Sequence, residues 1–146
     1  MHKMERTPMI ITIIGLVIEA ISVIVLHATT ILFFNIEKIP GLGSAAEADM
    51  SPSEYSELME FMGFIGYFIM VMAIIYTIFL IVNLILFPGL MKERYTEEKA
   101  KKIYLYQAIW GGINLLSNQI TGILYLISGV QGYNGRKDKV DVREGI

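Results

Sequence analysis

The sequence contains no cysteine, only four prolines and a single tryptophan. The absence of cysteine excludes disulfide bonds, thiolate metal sites and a lipid anchor on cysteine. Charge is also scarce in three long stretches, residues 7–36, 61–91 and 103–135, where Glu19 is the one carboxylate. Each stretch exceeds the ~20 residues that cross a bilayer as an α-helix. With 54% hydrophobic residues and a mean hydropathy of +0.55, the chain is predicted to be an all-α integral membrane protein.

Lysine and arginine residues flank these stretches unevenly. Two precede the first stretch, and one lies in the segment 37–60 together with six acids. Five lie in the segment 92–102, and four follow residue 135. Because positively charged flanks stay on the cytoplasmic side, both termini and the segment 92–102 are predicted to be cytoplasmic, and the acidic loop 37–51 extracytoplasmic. The predicted location is the plasma (cell) membrane, which the chain crosses several times.

Two cytoplasmic termini require an even number of crossings, so three apolar stretches must make four. As one helix, the stretch 103–135 would be ~48 Å long against a hydrocarbon core of ~30 Å. A fold-back near Ser117, Asn118 and Gln119 divides it into a short hairpin, with one long tilted helix as the alternative. The prediction is a single membrane domain, a four-helix transmembrane bundle. It has helices at about 8–36, 52–88, 97–116 and 119–134, and a basic cytoplasmic tail at 135–146.

Local signals mark several helix ends. Ser51-Pro52-Ser53-Glu54 has the spacing of a capping box with proline at the first helical position, and is predicted to begin the second helix. Pro88-Gly89 is predicted to end it. Thr96 is predicted to cap the third helix.

Three features of this layout are shared with a known family: Glu5-Arg6-Thr7 before the first helix, an acidic outer loop, and the segment 120–130 followed by a basic tail. In these features the chain resembles the small membrane proteins of Gram-positive bacteria catalogued as domain of unknown function 4064. The resemblance implies a four-helix bundle in a bacterial plasma membrane. It carries over no activity and no site residues.

Glu19 lies near the middle of the first predicted helix, roughly 16 Å from the cytoplasmic edge. An acid at that depth is costly in lipid and is expected to need hydrogen-bond partners. By depth, the predicted partners are Tyr76 and Thr77 on the second helix and Asn114 on the third, which together would form an intramembrane polar cluster. Interhelical bonds in membranes average ~0.6 kcal/mol, so the cluster would orient the helices more than stabilise them. Three interpretations of Glu19 stay open: a packing residue, a proton- or cation-responsive site, and a contact with a basic group of a partner protein.

His27 lies two turns beyond Glu19. It is interpreted as a packing or interfacial residue, with pH sensing as the alternative. Glycines are predicted to lie at helix-helix contacts, because small residues allow the close approach on which association in lipid depends. The predicted contact glycines are Gly63, Gly66, Gly111, Gly112, Gly122 and Gly129.

No catalytic constellation, phosphate-binding loop, metal-ligand spacing or nucleic-acid-binding tract is recognisable. The chain is therefore predicted to be non-enzymatic, to have no cofactor or metal, and not to bind nucleic acid. The expected partners are the lipid bilayer and either another membrane protein or a second copy of the chain. The expected role is that of an accessory subunit or an immunity-type protein that neutralises a membrane-active toxin or peptide. The alternative is a small proton- or cation-coupled transporter or channel that uses Glu19.

Overall fold

The computed structural model describes residues 2–39 and 49–144, with side chains as far as residue 135. All regular structure within these ranges is helical, so the prediction of an all-α chain with four helices is confirmed. Part of the predicted acidic loop, residues 40–48, lies outside the described residues. The helices are α1 (Arg6–Phe34), α2 (Pro52–Met91), α3 (Glu97–Asn114) and α4 (Gln119–Glu144), with a short 3₁₀ turn at Ile36–Lys38.

Two helix starts have the predicted caps. At the start of α2, the Ser51 amide donates to Glu54 Oε2 at 2.8 Å, and the Glu54 amide donates to Ser51 Oγ at 3.3 Å. This reciprocal pair is a capping box. At the start of α3, Thr96 Oγ1 accepts a hydrogen bond from the Lys99 amide at 3.3 Å. In both places the side chain satisfies an amide that the first helical turn leaves without a partner.

The end of α2 differs from the prediction. The helix does not stop at Pro88-Gly89 but continues to Met91. The Lys92 amide donates to the Pro88 carbonyl at 3.0 Å, so the turn after the proline is intact although the proline has no amide donor of its own. The chain leaves the helix at Glu93, which has a φ of 56°. There the Arg94 amide donates to the Gly89 carbonyl at 3.1 Å and the Glu93 amide to the Leu90 carbonyl at 3.3 Å. These two bonds form a Schellman motif, with a glutamate in the left-handed position that glycine usually occupies.

The uncharged stretch 103–135 folds back at residues 115–118 and forms the antiparallel pair α3 and α4. Asn118 precedes α4, and its Oδ1 accepts from the Thr121 amide at 3.3 Å. Its Nδ2 donates to Ser22 Oγ on α1 at 2.5 Å. Asparagine thus caps the helix at the predicted fold-back. The backbone of α4 continues to Glu144, beyond the predicted end at residue 134.

Glycine allows α3 and α4 to approach closely. A Cβ atom added to Gly111 would lie 2.5 Å from the Leu126 amide nitrogen, and one on Gly122 would lie 2.6 Å from the Leu115 nitrogen. A Cβ on Gly129 would lie 2.5 Å from the Ala108 nitrogen. Backbone atoms cannot move aside cheaply, so all three positions require glycine. These three predicted contact glycines do lie at a helix-helix seam.

The other predicted contact glycines behave differently. A Cβ on Gly66 would lie 3.3 Å from Phe33 Cβ, which is a tight contact. Among the described residues, no atom lies within 4 Å of a Cβ added to Gly63 or Gly112, so their prediction as seam residues is wrong. Gly112 follows Gly111 by one residue and therefore points about 100° further around the helix, away from the seam.

Contacts divide the described chain into two units. The first unit contains residues 2–22 and 79–144, and the second contains residues 23–39 and 49–78. The first unit therefore holds the N-terminal part of α1, the C-terminal part of α2, and the α3–α4 pair. The second holds the remaining parts of α1 and α2.

Two helices of the described residues, α1 and α2, are long and apolar enough to cross a membrane. In the most apolar 18-residue segment of each helix, only 28% of the residues of α1 and 17% of those of α2 are buried. Large apolar side chains are exposed along both helices, for example Ile24 on α1 and Ile85 on α2. A core helix of a soluble protein would bury most of such residues.

Candidate functional site

Glu19 lies in the first unit and is 1% exposed. Its carboxylate accepts four hydrogen bonds from three neighbouring side chains. Asn83 Nδ2 on α2 lies 2.9 Å from Oε1 and 3.0 Å from Oε2. Trp110 Nε1 on α3 donates to Oε1 at 3.1 Å, and the Tyr125 hydroxyl on α4 donates to Oε2 at 2.5 Å. One carboxylate therefore joins all four helices of the bundle.

Further contacts hold these three donors in place. The Tyr106 hydroxyl donates to Asn83 Oδ1 at 2.6 Å, which turns the amide nitrogen of Asn83 toward Glu19. The Trp110 ring stacks on Phe79, with the ring centroids 4.1 Å apart. The Tyr125 ring packs against Gly15, where an added Cβ would lie 2.5 Å from Cε1 of the ring. Gly15 lies one turn before Glu19 on the same face of α1, so the absence of a side chain there lets the Tyr125 hydroxyl reach the acid.

Each carboxylate oxygen accepts two of these hydrogen bonds, and the two from Asn83 share one nitrogen. No cationic side chain of the described residues bonds to Glu19, so every donor is neutral. The indole of Trp110 and the amide nitrogen of Asn83 act only as donors, whereas the hydroxyl of Tyr125 also has the capacity to accept. Of these three donors, Tyr125 is therefore the one that would be able to accept a hydrogen bond from a protonated Glu19.

Asn114 and Thr77, two of the three predicted partners of Glu19, donate to backbone carbonyls instead, whereas a contact between Glu19 and Tyr76 stays a prediction. Asn114 is buried, but its Nδ2 donates to the Trp110 carbonyl at 2.8 Å, because an amide in a helix easily reaches the carbonyl one turn earlier. Thr77 Oγ1 donates to the Ala73 carbonyl at 2.7 Å, and Tyr76 is a buried residue of the second unit. The residue of α2 that is level with Glu19 is Asn83, which lies six residues and ~9 Å closer to the C-terminal end of that helix than Thr77.

One feature of the sequence does indicate that Asn83 is a partner of Glu19. Asn83 is the one residue with a side-chain amide in the uncharged stretch 61–91. Polar amides inside apolar helices tend to bond across helices, as acids do. Pairing the only acid of the first stretch with the only amide of the second would have predicted the contact that the structure contains.

A second set of buried polar side chains, joined by hydrogen bonds, lies on the same faces of α1, α3 and α4. Gln107 Nε2 donates to Thr12 Oγ1 at 2.9 Å, and Thr12 Oγ1 lies 2.8 Å from Ser128 Oγ. Ser128 Oγ donates to the Pro8 carbonyl at 3.1 Å, so Thr12 is the donor to Ser128. Thr12, Gln107 and Ser128 are 0% exposed. Hydrogen bonds therefore join the helices of the first unit at two levels, which are about two helical turns apart on α1.

The residues before α1 are also anchored in the first unit. His2 is buried, and its Nε2 lies 2.9 Å from the Tyr104 hydroxyl on α3. Its Nδ1 lies 3.4 Å from Glu97 Oε2, and its amide donates to the Tyr95 carbonyl at 2.8 Å. These contacts hold the N-terminal segment against the start of α3.

His27 belongs to the second unit, where its Nε2 lies 2.8 Å from Thr77 Oγ1. Thr77 has one hydroxyl hydrogen, which it donates to the Ala73 carbonyl, so His27 Nε2 carries the hydrogen of this bond. The bond joins α1 to α2 and agrees with the packing interpretation of His27. pH sensing by His27 stays a hypothesis.

The described residues contain no group of three or more histidine, cysteine, aspartate or glutamate side chains that could hold a metal ion. Comparison with known proteins finds no matching family model, no similar curated protein and no similar solved structure. The resemblance to domain of unknown function 4064 therefore stays a prediction.

Proposed function

We propose that the chain is a multi-pass protein of the plasma membrane, with four crossings and both termini on the cytoplasmic side. The outward-facing apolar side chains of α1 and α2 support a position in lipid. The α3–α4 pair would provide the other two crossings, and its uncharged parts, residues 103–114 of α3 and 119–135 of α4, are ~18 Å and ~26 Å long at the α-helical rise. The bundle has its basic segments inside and its acidic loop outside. The resemblance stated above supports a bacterial membrane.

We further propose that the protein is not an enzyme and acts through contacts in the membrane. The observation that carries this proposal is the Glu19 carboxylate, both of whose oxygens bond to the protein's own donors. A polar centre of this kind specifies how helices pack, and its hydrogen bonds are made within the protein. Function then belongs to the outer surfaces, as in an accessory subunit or an immunity-type protein. The partner is a membrane protein, a membrane-active peptide or a second copy.

Site-specific photo-crosslinking in native membranes tests this proposal. A photoreactive amino acid replaces Ile24 or Ile85, whose side chains are 68% and 64% exposed. The same amino acid at Leu116, 92% exposed in the α3–α4 turn, serves as the control. We expect a discrete protein adduct from at least one helix position and none from the turn. If every position yields lipid adducts alone, and deletion of the gene leaves sensitivity to membrane-active peptides unchanged, the contact function is contradicted.

A proton-coupled transporter is the second candidate, and one specific observation favours it. Tyr125 gives Glu19 a hydroxyl partner that is able either to donate or to accept, so the network tolerates the gain of a proton. A metal or organic cation would have to displace the donors of Asn83 and Trp110. Reconstituted wild-type protein would then produce a proton-coupled flux in liposomes that Glu19→Gln abolishes. Absence of flux in the wild type contradicts this candidate.

A further inference from the structure

A cavity of 180 Å³ lies in the second unit, between the end of α1 and the first turns of α2. Its walls are apolar side chains and one carboxylate. At one side of the cavity lies Gly63, where an added Cβ would meet no atom of the described residues within 4 Å. The lining residues on which the argument depends are Phe33, Phe34, Met59, Met62, Gly63 and Glu37.

Neighbouring contacts hold the aromatic walls in place. Phe34 packs edge to face on Tyr67, with the ring centroids 5.1 Å apart. Phe33 lies against Gly66, one turn along α2 from Gly63. Gly66 is thus in contact where Gly63 is open, and the cavity is the space that remains beside Gly63. An apolar cavity of about 150 Å³ accommodates benzene, so this one has room for one aromatic or leucine side chain.

The surroundings of the cavity are strongly acidic. The described residues 35–39 and 49–60 contain five acids and one lysine. Glu37 lines the cavity, is exposed, and makes no hydrogen bond or ion pair with any other described residue. The cavity lies where the charged segment ends, since Glu60 is the last charge before the apolar stretch that begins at Phe61. An apolar anchor beside a positive charge is the chemistry that complements this arrangement.

We propose that this cavity binds an apolar side chain of a cationic amphipathic peptide, and that Glu37 pairs with a neighbouring lysine or arginine of that peptide. A second copy of the chain is a poorer occupant, because its own acidic end would be repelled. A lipid tail would fill the apolar space but would make no use of the negative charge. The inference rests on the proposed function, since it names the peptide as the partner of an immunity-type protein.

The test measures binding of a dye-labelled synthetic peptide of lysine and leucine to the full-length protein in phosphatidylcholine nanodiscs. Empty nanodiscs give the baseline, and a peptide with glutamate in place of lysine is the charge control. Gly63→Leu fills the cavity, and Glu37→Gln removes its carboxylate. Gly112→Leu is the matched control for the first variant, because Gly112 is equally open. Glu98→Gln is the control for the second, because Glu98 is an exposed acid of α3.

We expect Gly63→Leu to weaken binding about tenfold, the effect of losing one buried apolar side chain. We expect Glu37→Gln to weaken it about threefold, as an exposed ion pair does, and added salt to weaken it further. Both control variants should bind as the wild type does. Intrinsic fluorescence of the single tryptophan checks that each variant is folded.

If Gly63→Leu and Gly112→Leu bind the peptide equally well, the inference is overturned. If the wild type binds the lysine and glutamate peptides equally well, the site is a lipid-like apolar one, and the inference is also overturned. A change in oligomeric state of Gly63→Leu without a change in peptide binding indicates a second copy and also overturns it. If peptide binding fails while the crosslinked partner of α1 or α2 persists, only this inference fails. If both are lost, the proposed contact function fails with it.

Discussion

Asn83 bonds to both carboxylate oxygens of Glu19 from a single amide nitrogen, at 2.9 and 3.0 Å. The contact joins α1 to α2 across 64 residues of sequence. Because the Tyr106 hydroxyl on α3 donates a hydrogen bond to Oδ1 of the same side-chain amide, α3 also determines the orientation of Asn83. The pair therefore sets the register of three helices.

Asn83→Leu should destabilise the protein by about 1–3 kcal/mol, because it leaves acceptor positions of a buried carboxylate and the Tyr106 hydroxyl without a partner. The free energy of unfolding in mild detergent measures the effect. Asn134→Leu is the matched control, since Asn134 is an exposed asparagine of α4. Equal losses in the two variants would show that the Asn83 contact contributes nothing.

Gly111 and Gly112 are neighbours in the sequence, but substitution by alanine is expected to change the stability in opposite directions at the two positions. Gly111→Ala should destabilise the α3–α4 pair by about 1–3 kcal/mol, because the new Cβ would meet backbone atoms of α4. Gly112→Ala should stabilise it by about 0.5–1 kcal/mol, because alanine favours the helix and the added Cβ meets open space. Thermal unfolding of the two variants tests both signs. A loss of stability in Gly112→Ala as large as that in Gly111→Ala would contradict the seam.

Trp110 is the single tryptophan of the chain and is 4% exposed, with its indole nitrogen bonded to Glu19. We expect emission at short wavelength and poor quenching by acrylamide in the purified protein. Glu19→Leu should shift the emission, because the indole loses its acceptor. The double variant Trp110→Phe, Leu116→Trp provides the comparison, since Leu116 is 92% exposed. Efficient quenching of the wild type would contradict the buried network.

The length of the apolar stretches, capping chemistry and charge were enough to predict the four helices. The capping box at Ser51 and Glu54 and the cap at Thr96 follow from local spacing. The end of α2 did not follow, because the left-handed conformation of Glu93 depends on bonds to Gly89 and Leu90 that the residue type does not favour. Local rules describe helix starts better than this kind of helix end.

The site was predicted only in part. Glu19 was identified because a lone acid in an apolar stretch is expensive. Its partners depend on the rotation and relative height of four helices, and an error of six residues in α2 replaced Asn83 by Thr77. Trp110 and Tyr125 also escaped prediction, because an aromatic residue in a membrane segment serves equally well in packing or at the interface.

Cysteine accessibility tests the central claim, four crossings with an acidic loop outside, most directly. The chain has no native cysteine, so single cysteines can be introduced without first replacing others. The chosen positions are all exposed: Ser53, Lys92 and Ser117. On intact cells, a membrane-impermeant maleimide should label Ser53→Cys and Ser117→Cys, and should label Lys92→Cys only after the membrane is opened. Labelling of Lys92→Cys on intact cells, or of Ser117→Cys only after opening, would contradict the proposed topology.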